Sequence, residues 1–262
     1  MVTVTVLASG SSGNSTLISS GPTNILIDVG LSGKETAARL QSVGVSPSKL
    51  SGILITHEHS DHIRGLGVLA KSLKIPVYMS AAALETCGLK ESLPCFEPIV
   101  AGQPLHIGDF KVTPFSTPHD SVDPLAFTLE CHGFKISTVT DIGYLSGLIK
   151  ERIARSDCLI LESNHDMAML KVGPYPWALK QRILGRHGHL SNDALAEFLT
   201  HDFDGSARYL FLAHLSRTNN HPEIARQAAV SALGARLELL ETWDTRLKMT
   251  YQDSPSETIH LD

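Results

Sequence analysis

The stretch ILITHEHSDHIRGLG, residues 53–67, places three histidines and one aspartate (His57, His59, Asp61 and His62) inside six positions, between an apolar run and an amphipathic one. Groups this polar are costly to bury without partners. The chain must therefore fold so that a buried strand ends at His57 and a helix carries it away beyond His62, with the cluster gathered at a sheet edge. On extended backbone, residues two apart project to the same side. His57 and His59 can thus converge on one ion while Asp61 and His62 turn toward a second. Imidazole is the commonest metal ligand and a general acid or base near neutral pH, and the chain has 13 histidines in 262 residues, more than this segment consumes.

Composition narrows the setting. With 42% hydrophobic and 19% charged residues the chain is globular, and it is long enough to bury a core without covalent staples. The four cysteines (Cys87, Cys95, Cys131, Cys158) are far apart and include no C-x-x-C pair. Neither a disulfide framework nor a cysteine zinc site is suggested, and a reducing cytoplasm is the expected compartment. The opening MVTVTVLASGSSG has no basic leader, and no apolar run approaches the roughly 18 residues of a membrane span, so neither secretion nor membrane insertion is expected. A net charge of −5 argues against coating nucleic acid with the whole surface; any site for a polyanion must be local.

Period-two alternation and short apolar runs predict strands over 2–7, 15–19, 24–29, 52–56, 76–80, 105–107, 110–115, 125–131, 134–140, 158–162 and 209–213. Helical spacing predicts helices over 33–41, 63–73, 81–89, 146–154, 177–184, 192–200 and 222–233, the first capped by Ser32 or Gly33. No linker, repeat or low-complexity block marks a boundary, so residues 1–262 read as a single domain. Two β-rich stretches, each followed by helices, suggest an α/β fold of two sheets packed face to face with helices outside. The turn ASGSSGNS lacks the G-x-x-x-x-G-K-S pattern of a phosphate-binding loop, which leaves Ser11, Ser12 and Asn14 as rim candidates only.

His57-Glu58-His59-Ser60-Asp61-His62 resembles the H-x-H-x-D-H signature of the metallo-β-lactamase superfamily. That resemblance implies a four-layer αβ/βα sandwich of two mixed sheets with outer helices. It also points to Asp28 in ILIDVG, His119 in STPHD, Asp141 in STVTDIG and His214 in YLFLAHLS, each at the end of an expected strand. By the family pattern, His57, His59 and His119 hold one divalent ion, Asp61, His62 and His214 hold a second, and Asp141 bridges them. Asp28 orients a ligand without binding metal. Five imidazoles favour Zn²⁺, and the two carboxylates also suit Mn²⁺.

The segments LASGSSGNS, ILITHEHSDHIRGLG, HDSVDPLAFTLE, TDIGYL, LILESNHDMAML, GPYPWALKQRILGRHGHLSN and LAHLSRTNN resemble the bacterial YycJ or WalJ subgroup, 5′-to-3′ exonucleases of double-stranded DNA. They span nearly the whole chain. GHLSN is also similar to the G-H-A-S segment of nucleic-acid-processing members that carry an inserted cap domain, but no stretch here is long enough to be such an insertion.

Met167–Asn192 contains Lys171, Lys180, Arg182 and Arg186, no acidic residue, and the aromatics Tyr175 and Trp177. Cations supply affinity for a phosphate backbone and aromatics can stack on bases. Alternatively, Lys180 and Arg182 solvate a helix whose other face, with Trp177, Leu179, Ile183 and Leu184, packs on the core; Trp177 is assigned to the core. His189, after Gly188 and before a helix start, is the best candidate for a direct contact to the scissile phosphate, with His187 beside it. Asn164 and His165 follow Glu162 on the same expected rim, where they either touch substrate or tie down a loop.

The reading is a dinuclear metal-dependent phosphodiesterase, a 5′-to-3′ exonuclease acting on DNA or RNA ends, with Asp61, Asp141 and His189 in the chemistry. The alternative is a small-substrate hydrolase of the same fold, for a cyclic phosphodiester, thioester or lactone. A metal-bound scaffold without turnover is disfavoured by the complete ligand set, and β-lactamase activity by Asp61 and Asp141, which match hydrolytic relatives instead.

Overall fold

Apolar runs bounded by turn residues become parallel strands, and the β-branched alternation at the start of the chain becomes an antiparallel one. The computed structural model describes residues 1–235 and 246–262, which divide into two units. Met1–Ser116, Ser121–Phe134 and Tyr251–Asp262 make up the first, and Thr117–Asp120 and Lys135–Thr250 the second.

In the first unit, β1 (Val2–Ala8), β2 (Ser15–Ser20), β3 (Thr23–Ile27), β4 (Gly52–Leu54), β5 (Val77–Met79), β6 (Phe96–Pro98) and, from the far end of the chain, β14 (Ile259–Leu261) form one sheet in the order β14-β1-β2-β3-β4-β5-β6. Pairing is antiparallel as far as β3 and parallel from β3 to β6. The helices α1 (Gly33–Ser42), α3 (Leu66–Leu73) and α4 (Ala81–Cys87) bring Leu40, Leu66, Leu69 and Leu84 into a buried cluster with Leu7, Leu26, Ile53 and Met79. Ser32 is the cap of α1, its side chain accepting the Glu35 N–H. An antiparallel meander, β7 (Leu105–Ile107), β8 (Phe110–Ser116) and β9 (Leu125–Cys131), completes this unit.

The second unit holds four parallel strands, β10 (Phe134–Val139, all but its first residue in this unit), β11 (Cys158–Glu162), β12 (Tyr209–Ala213) and β13 (Leu247–Met249). Around them run α5 (Gly147–Ile153), α6 (Met167–Val172), α7 (Trp177–Leu184), α8 (Asn192–His201) and α9 (Pro222–Gly234). No helix among the described residues is long and apolar enough to cross a membrane.

Three local readings need correction. The helix expected over 63–73 is broken: α2 (Ser60–Ile63) ends before Gly65, and α3 starts after it. Gly65 donates its N–H to the Val29 carbonyl (2.9 Å), and a Cβ there would strike the Leu31 carbonyl, so the helix yields to the loop that leaves β3. Three short strands (β6, β13, β14) and α6 were not foreseen, since three to six residues carry too little periodicity to be read. Finally, Trp177 is 72% and Leu184 39% exposed, not core. In α7 the apolar residues divide between two faces: Leu179 and Ile183, four apart, turn inward, while Trp177 and Leu184, seven apart, share the outer face.

One buried cation ties the first unit together. Arg39 of α1 is 8% exposed, and its Nη1 donates to the carbonyls of Leu7 (2.8 Å) and Gln252 (2.9 Å), joining the end of β1 to the returning C-terminal segment. Arg39→Met should strand both carbonyls and lower stability by about 2–4 kcal/mol, read as a lower midpoint in urea unfolding; an unchanged midpoint would show the two bonds to be replaceable by water.

Candidate metal centre

Parallel register sends the carboxyl ends of neighbouring strands to one edge, where a polar cluster can form without interrupting the ladder. In the first unit Ile27 of β3 pairs with Leu54 of β4, so Asp28 and Thr56–His57 emerge together. Asp28 leaves the strand with φ 62°, left-handed backbone that costs a non-glycine residue on the order of 1 kcal/mol, and its carboxylate is buried. Oδ1 accepts the Thr56 N–H (2.9 Å), and Oδ2 lies 2.8 Å from Nδ1 of His62. The Thr56 hydroxyl is 3.1 and 3.0 Å from the two carboxylate oxygens and 2.9 Å from Nδ1 of His57. An ionised carboxylate only accepts, so His62 carries its proton on Nδ1 and offers Nε2. The rings of His57 and His62 lie 4.0 Å apart between centroids, and those of His57 and His59 4.6 Å.

Asn14, from the glycine-serine turn, braces this cluster. Its Oδ1 accepts the Gly10 N–H (2.8 Å), and its amide nitrogen Nδ2 lies 3.1 Å from Nε2 of His62 and 3.3 Å from Oδ2 of Asp61. The main chain adds a second brace: the Asn14 N–H donates to the Asp61 carbonyl (2.8 Å) and the Gly30 N–H to the Asn14 carbonyl (2.9 Å). Any Cβ at Gly30 would overlap the Asp61 carbonyl, so only glycine lets the loop pass this close. Ser11 and Ser12 are exposed and contribute no side chain to the cluster.

The second unit repeats the scheme with a different carboxylate. Glu162, the last residue of β11, is level with Ala213, one residue before His214, and it is fully buried. Its Oε1 lies 2.8 Å from Nδ1 of His189 and 2.8 Å from Nδ1 of His214; Oε2 accepts the N–H of Ile142 (2.8 Å) and of Leu190 (3.3 Å). Burial alone would raise the Glu162 carboxyl, but the charge and hydrogen bonds of His189 and His214 hold it below the usual carboxylate range. Burial works to lower His189, and Glu162 reverses it, favouring the protonated ring. Both imidazoles thus turn Nδ1 to the carboxylates of Glu162 and Asp141. His119 is held the other way round, its Nδ1 donating to the Gly188 carbonyl (3.2 Å) and its Nε2 on the Asp141 side, while burial lowers its pKa.

Asp141 (φ 58°) and His214 (φ 56°) share the left-handed backbone of Asp28. Oδ1 of Asp141 is 3.4 Å from His214, 3.7 Å from His189 and 3.9 Å from His119. Asp141, Glu162, His189 and His214 each offer an atom within 4.8 Å of the others, a donor set of carboxylate oxygen and imidazole nitrogen that suits a divalent cation.

The remaining sequence candidates fall in different places. His187 is exposed, and its carbonyl accepts the Asp120 N–H (3.0 Å). Arg182 is ion-paired with Asp120, and Lys180 donates to the Lys171 carbonyl (2.8 Å). Asn164 and His165 are 4% and 1% exposed, inside the protein and not on its rim. Asn164 ties down the next loop, donating to the His214 carbonyl (2.8 Å), and burial pushes His165 down to about 4, so it is neutral. The importance of Glu162 and Asn14 went unread. For Glu162 the signal was present: an acid closing the apolar run CLILE needs a strong buried partner.

Comparison with known proteins places these features in a family. A family model for the β-lactamase superfamily domain matches residues 23–214. The chain is 37% identical over 251 residues to exodeoxyribonuclease YycJ of Bacillus anthracis, covering 93% of this chain and 95% of that one. It is 36% identical over 233 residues to exodeoxyribonuclease WalJ of Streptococcus pneumoniae serotype 2 (strain D39 / NCTC 7466), with 87% of each covered. Among solved structures, the metallo-β-lactamase fold protein YhfI from Bacillus subtilis superposes with a TM-score of 0.73 at 18% identity, over 98% of both chains.

Glu162→Gln keeps the shape of the side chain but replaces the two-oxygen acceptor that orients two imidazoles. It should weaken divalent-metal binding by roughly 10–100-fold with little loss of fold, measured by competition with a chromophoric chelator. Unchanged affinity would remove Glu162 from the orienting role.

Proposed function

The chain belongs to the β-lactamase superfamily, with the metallo-β-lactamase fold, a family of metal-dependent hydrolases, and on that premise we propose that it removes nucleotides from the 5′ end of DNA with two bound divalent ions. The observation that carries the metal reading is the shared state of three imidazoles: Nδ1 of His62 and of His214 is engaged by a buried carboxylate and that of His119 by a carbonyl, which fixes each ring and makes Nε2 the nitrogen that would ligate. The nuclease reading is supported by near full-length similarity to two exodeoxyribonucleases and by the acid-free segment Met167–Asn192.

Following the family pattern, we assign His57, His59 and His119 to one ion, Asp61, His62 and His214 to the other, and Asp141 to both. Zn²⁺ is favoured and Mn²⁺ compatible. Such a pair, when bound, would supply an activated water near neutral pH and positive charge opposite a developing oxyanion. Asp28 and Glu162 keep the ligand imidazoles in one tautomer and one orientation. His189, 23% exposed along its side chain and hydrogen-bonded through Nδ1, points its Nε2 toward substrate and holds the proton that the departing 3′ oxygen needs. His187, Lys180 and Arg182 contact the backbone beyond the scissile bond. Residues 1–262 act as one domain, in the cytoplasm.

A small-substrate hydrolase remains the second reading, because Arg182 and Lys180 already have partners within the protein, Asp120 and the Lys171 carbonyl. The two part on one experiment. Protein stripped by chelator and reloaded separately with Zn²⁺ or Mn²⁺ is incubated with duplexes labelled at the 5′ or the 3′ end. Mononucleotide release from the 5′ label is expected, absent after stripping, and reduced about 100-fold or more in Asp141→Ala. Intact DNA beside a cleaved thioester or cyclic phosphodiester would decide for the second reading.

A further inference from the structure

The outer face of α7 presents an indole to solvent. Trp177 is 72% exposed, Leu184 on the same face 39%, and Val172 at the end of α6 87%. The Lys180–Lys171 bond joins α6 to α7, and Pro174 and Pro176 stiffen the connection. Around this apolar strip every charge from Met167 to Asn192 is positive, in a chain of net charge −5. The cores of protein–protein interfaces are depleted of charge, whereas an exposed aromatic among cations is the pattern of single-strand binding, in which bases stack and the backbone is neutralised.

The helix also sets a distance. Arg182 is ion-paired with Asp120, whose Oδ1 is 3.5 Å from Nε2 of His119. Trp177 precedes Arg182 by five residues, about 7.5 Å along the helix axis, and a nucleic-acid strand advances roughly 3.4 Å per nucleotide. The two residues also lie about 140° apart around the axis, so this rise is a minimum, and the platform stands at least two base steps from the guanidinium beside His119. On the far side, the Arg186 guanidinium lies 4.9 Å from the centroid of the Tyr144 ring, which continues the cationic track.

We propose that Trp177 is a stacking platform for an unpaired base two or three nucleotides from the scissile phosphate, so that the enzyme selects DNA whose end is single-stranded or frayed. The proposal rests on the nuclease reading above and adds a specificity determinant to it. Leu184, two turns along the same face, extends the apolar strip, and Lys171 and Arg182 take the flanking phosphates.

The test uses the full metal-loaded chain and a 5′-overhang oligonucleotide with phosphorothioate linkages, followed by tryptophan fluorescence. The chain has two tryptophans, Trp177 and Trp243, so the contribution of Trp177 is read from Trp177→Phe. Quenching on binding is expected in the wild type and should be lost in that variant, with affinity largely kept because a phenyl ring still stacks. Trp177→Ala should bind roughly 5- to 100-fold more weakly and raise KM for overhang DNA by a similar factor, with kcat within about twofold. An abasic nucleotide at the second or third position should impose the same loss on the wild type and nothing further on Trp177→Ala.

Quenching absent, or additive losses in the abasic series, would overturn the stack while leaving exonuclease activity standing. Quenching with abasic coupling but no turnover of DNA would keep the stack and sink the exonuclease reading. A concentration-dependent dimer in sedimentation velocity that Trp177→Ala dissociates would assign the strip to a second copy of the chain and overturn the proposal.

Discussion

Two carboxylates buried at strand ends govern the rest of the molecule. Taking an ionised acid out of water costs several kcal/mol, and a protein recovers this only by giving both oxygens strong donors. Asp28 and Glu162 meet that demand in parallel ways. Each uses one oxygen on a backbone N–H that pins a loop, Thr56 for Asp28 and Ile142 for Glu162, and the other on the Nδ1 of an imidazole. The desolvation demand of the acid is thereby turned into orientation of the base. A histidine held in this way has a single tautomer and a single face, which is what a metal ligand requires and what a solvated histidine lacks.

The same strand ends carry strained backbone. Asp28, Asp141 and His214 all adopt left-handed φ values, between 56° and 62°, each immediately or nearly immediately after a parallel strand. Regular strand geometry would point successive side chains to opposite faces of the sheet. A left-handed residue instead turns the chain abruptly, so that a side chain leaves along the strand axis, off the carboxyl edge. Three such turns are a local cost for the fold, and the apolar strands beneath them, fully buried in β3 and β11, over-determine the geometry enough to sustain it.

Legibility followed the strength of the local signal. Long apolar runs ending in His or Asp were readable because burial and polarity change sign within one residue, and the structure has strands ending at Ile27, Leu54 and Ala213 just before Asp28, Thr56 and His214. Asn14 was hidden because its value depends on Asp61, 47 positions away, and no pattern in the turn itself reports that contact. Strands of three residues such as β13 and β14 form because a neighbouring strand is already in place, which is tertiary and not local information. Trp177 was misplaced for a different reason. A helix with four large apolar residues in eight looks core-facing by count, yet its angular distribution divides them between two faces, and the burial of Ile183, with Leu179 half-buried on the same face, leaves the indole outside.

The placement of charge follows from the same economy. An exposed Arg–Asp pair contributes between about 0 and 1 kcal/mol to stability, so the Arg182–Asp120 pair is poorly explained as a fold element. Its location, one residue from His119, is better explained by what it does to the guanidinium. With Nε engaged by Asp120, much of the rotamer freedom of a long side chain is already spent, and the planar fork keeps further donors. A chain of net charge −5 cannot draw a polyanion by its overall field, and bulk charge would not distinguish one position on a strand from another. Cations fixed in place, such as Arg182 beside Asp120 and His119, act only locally.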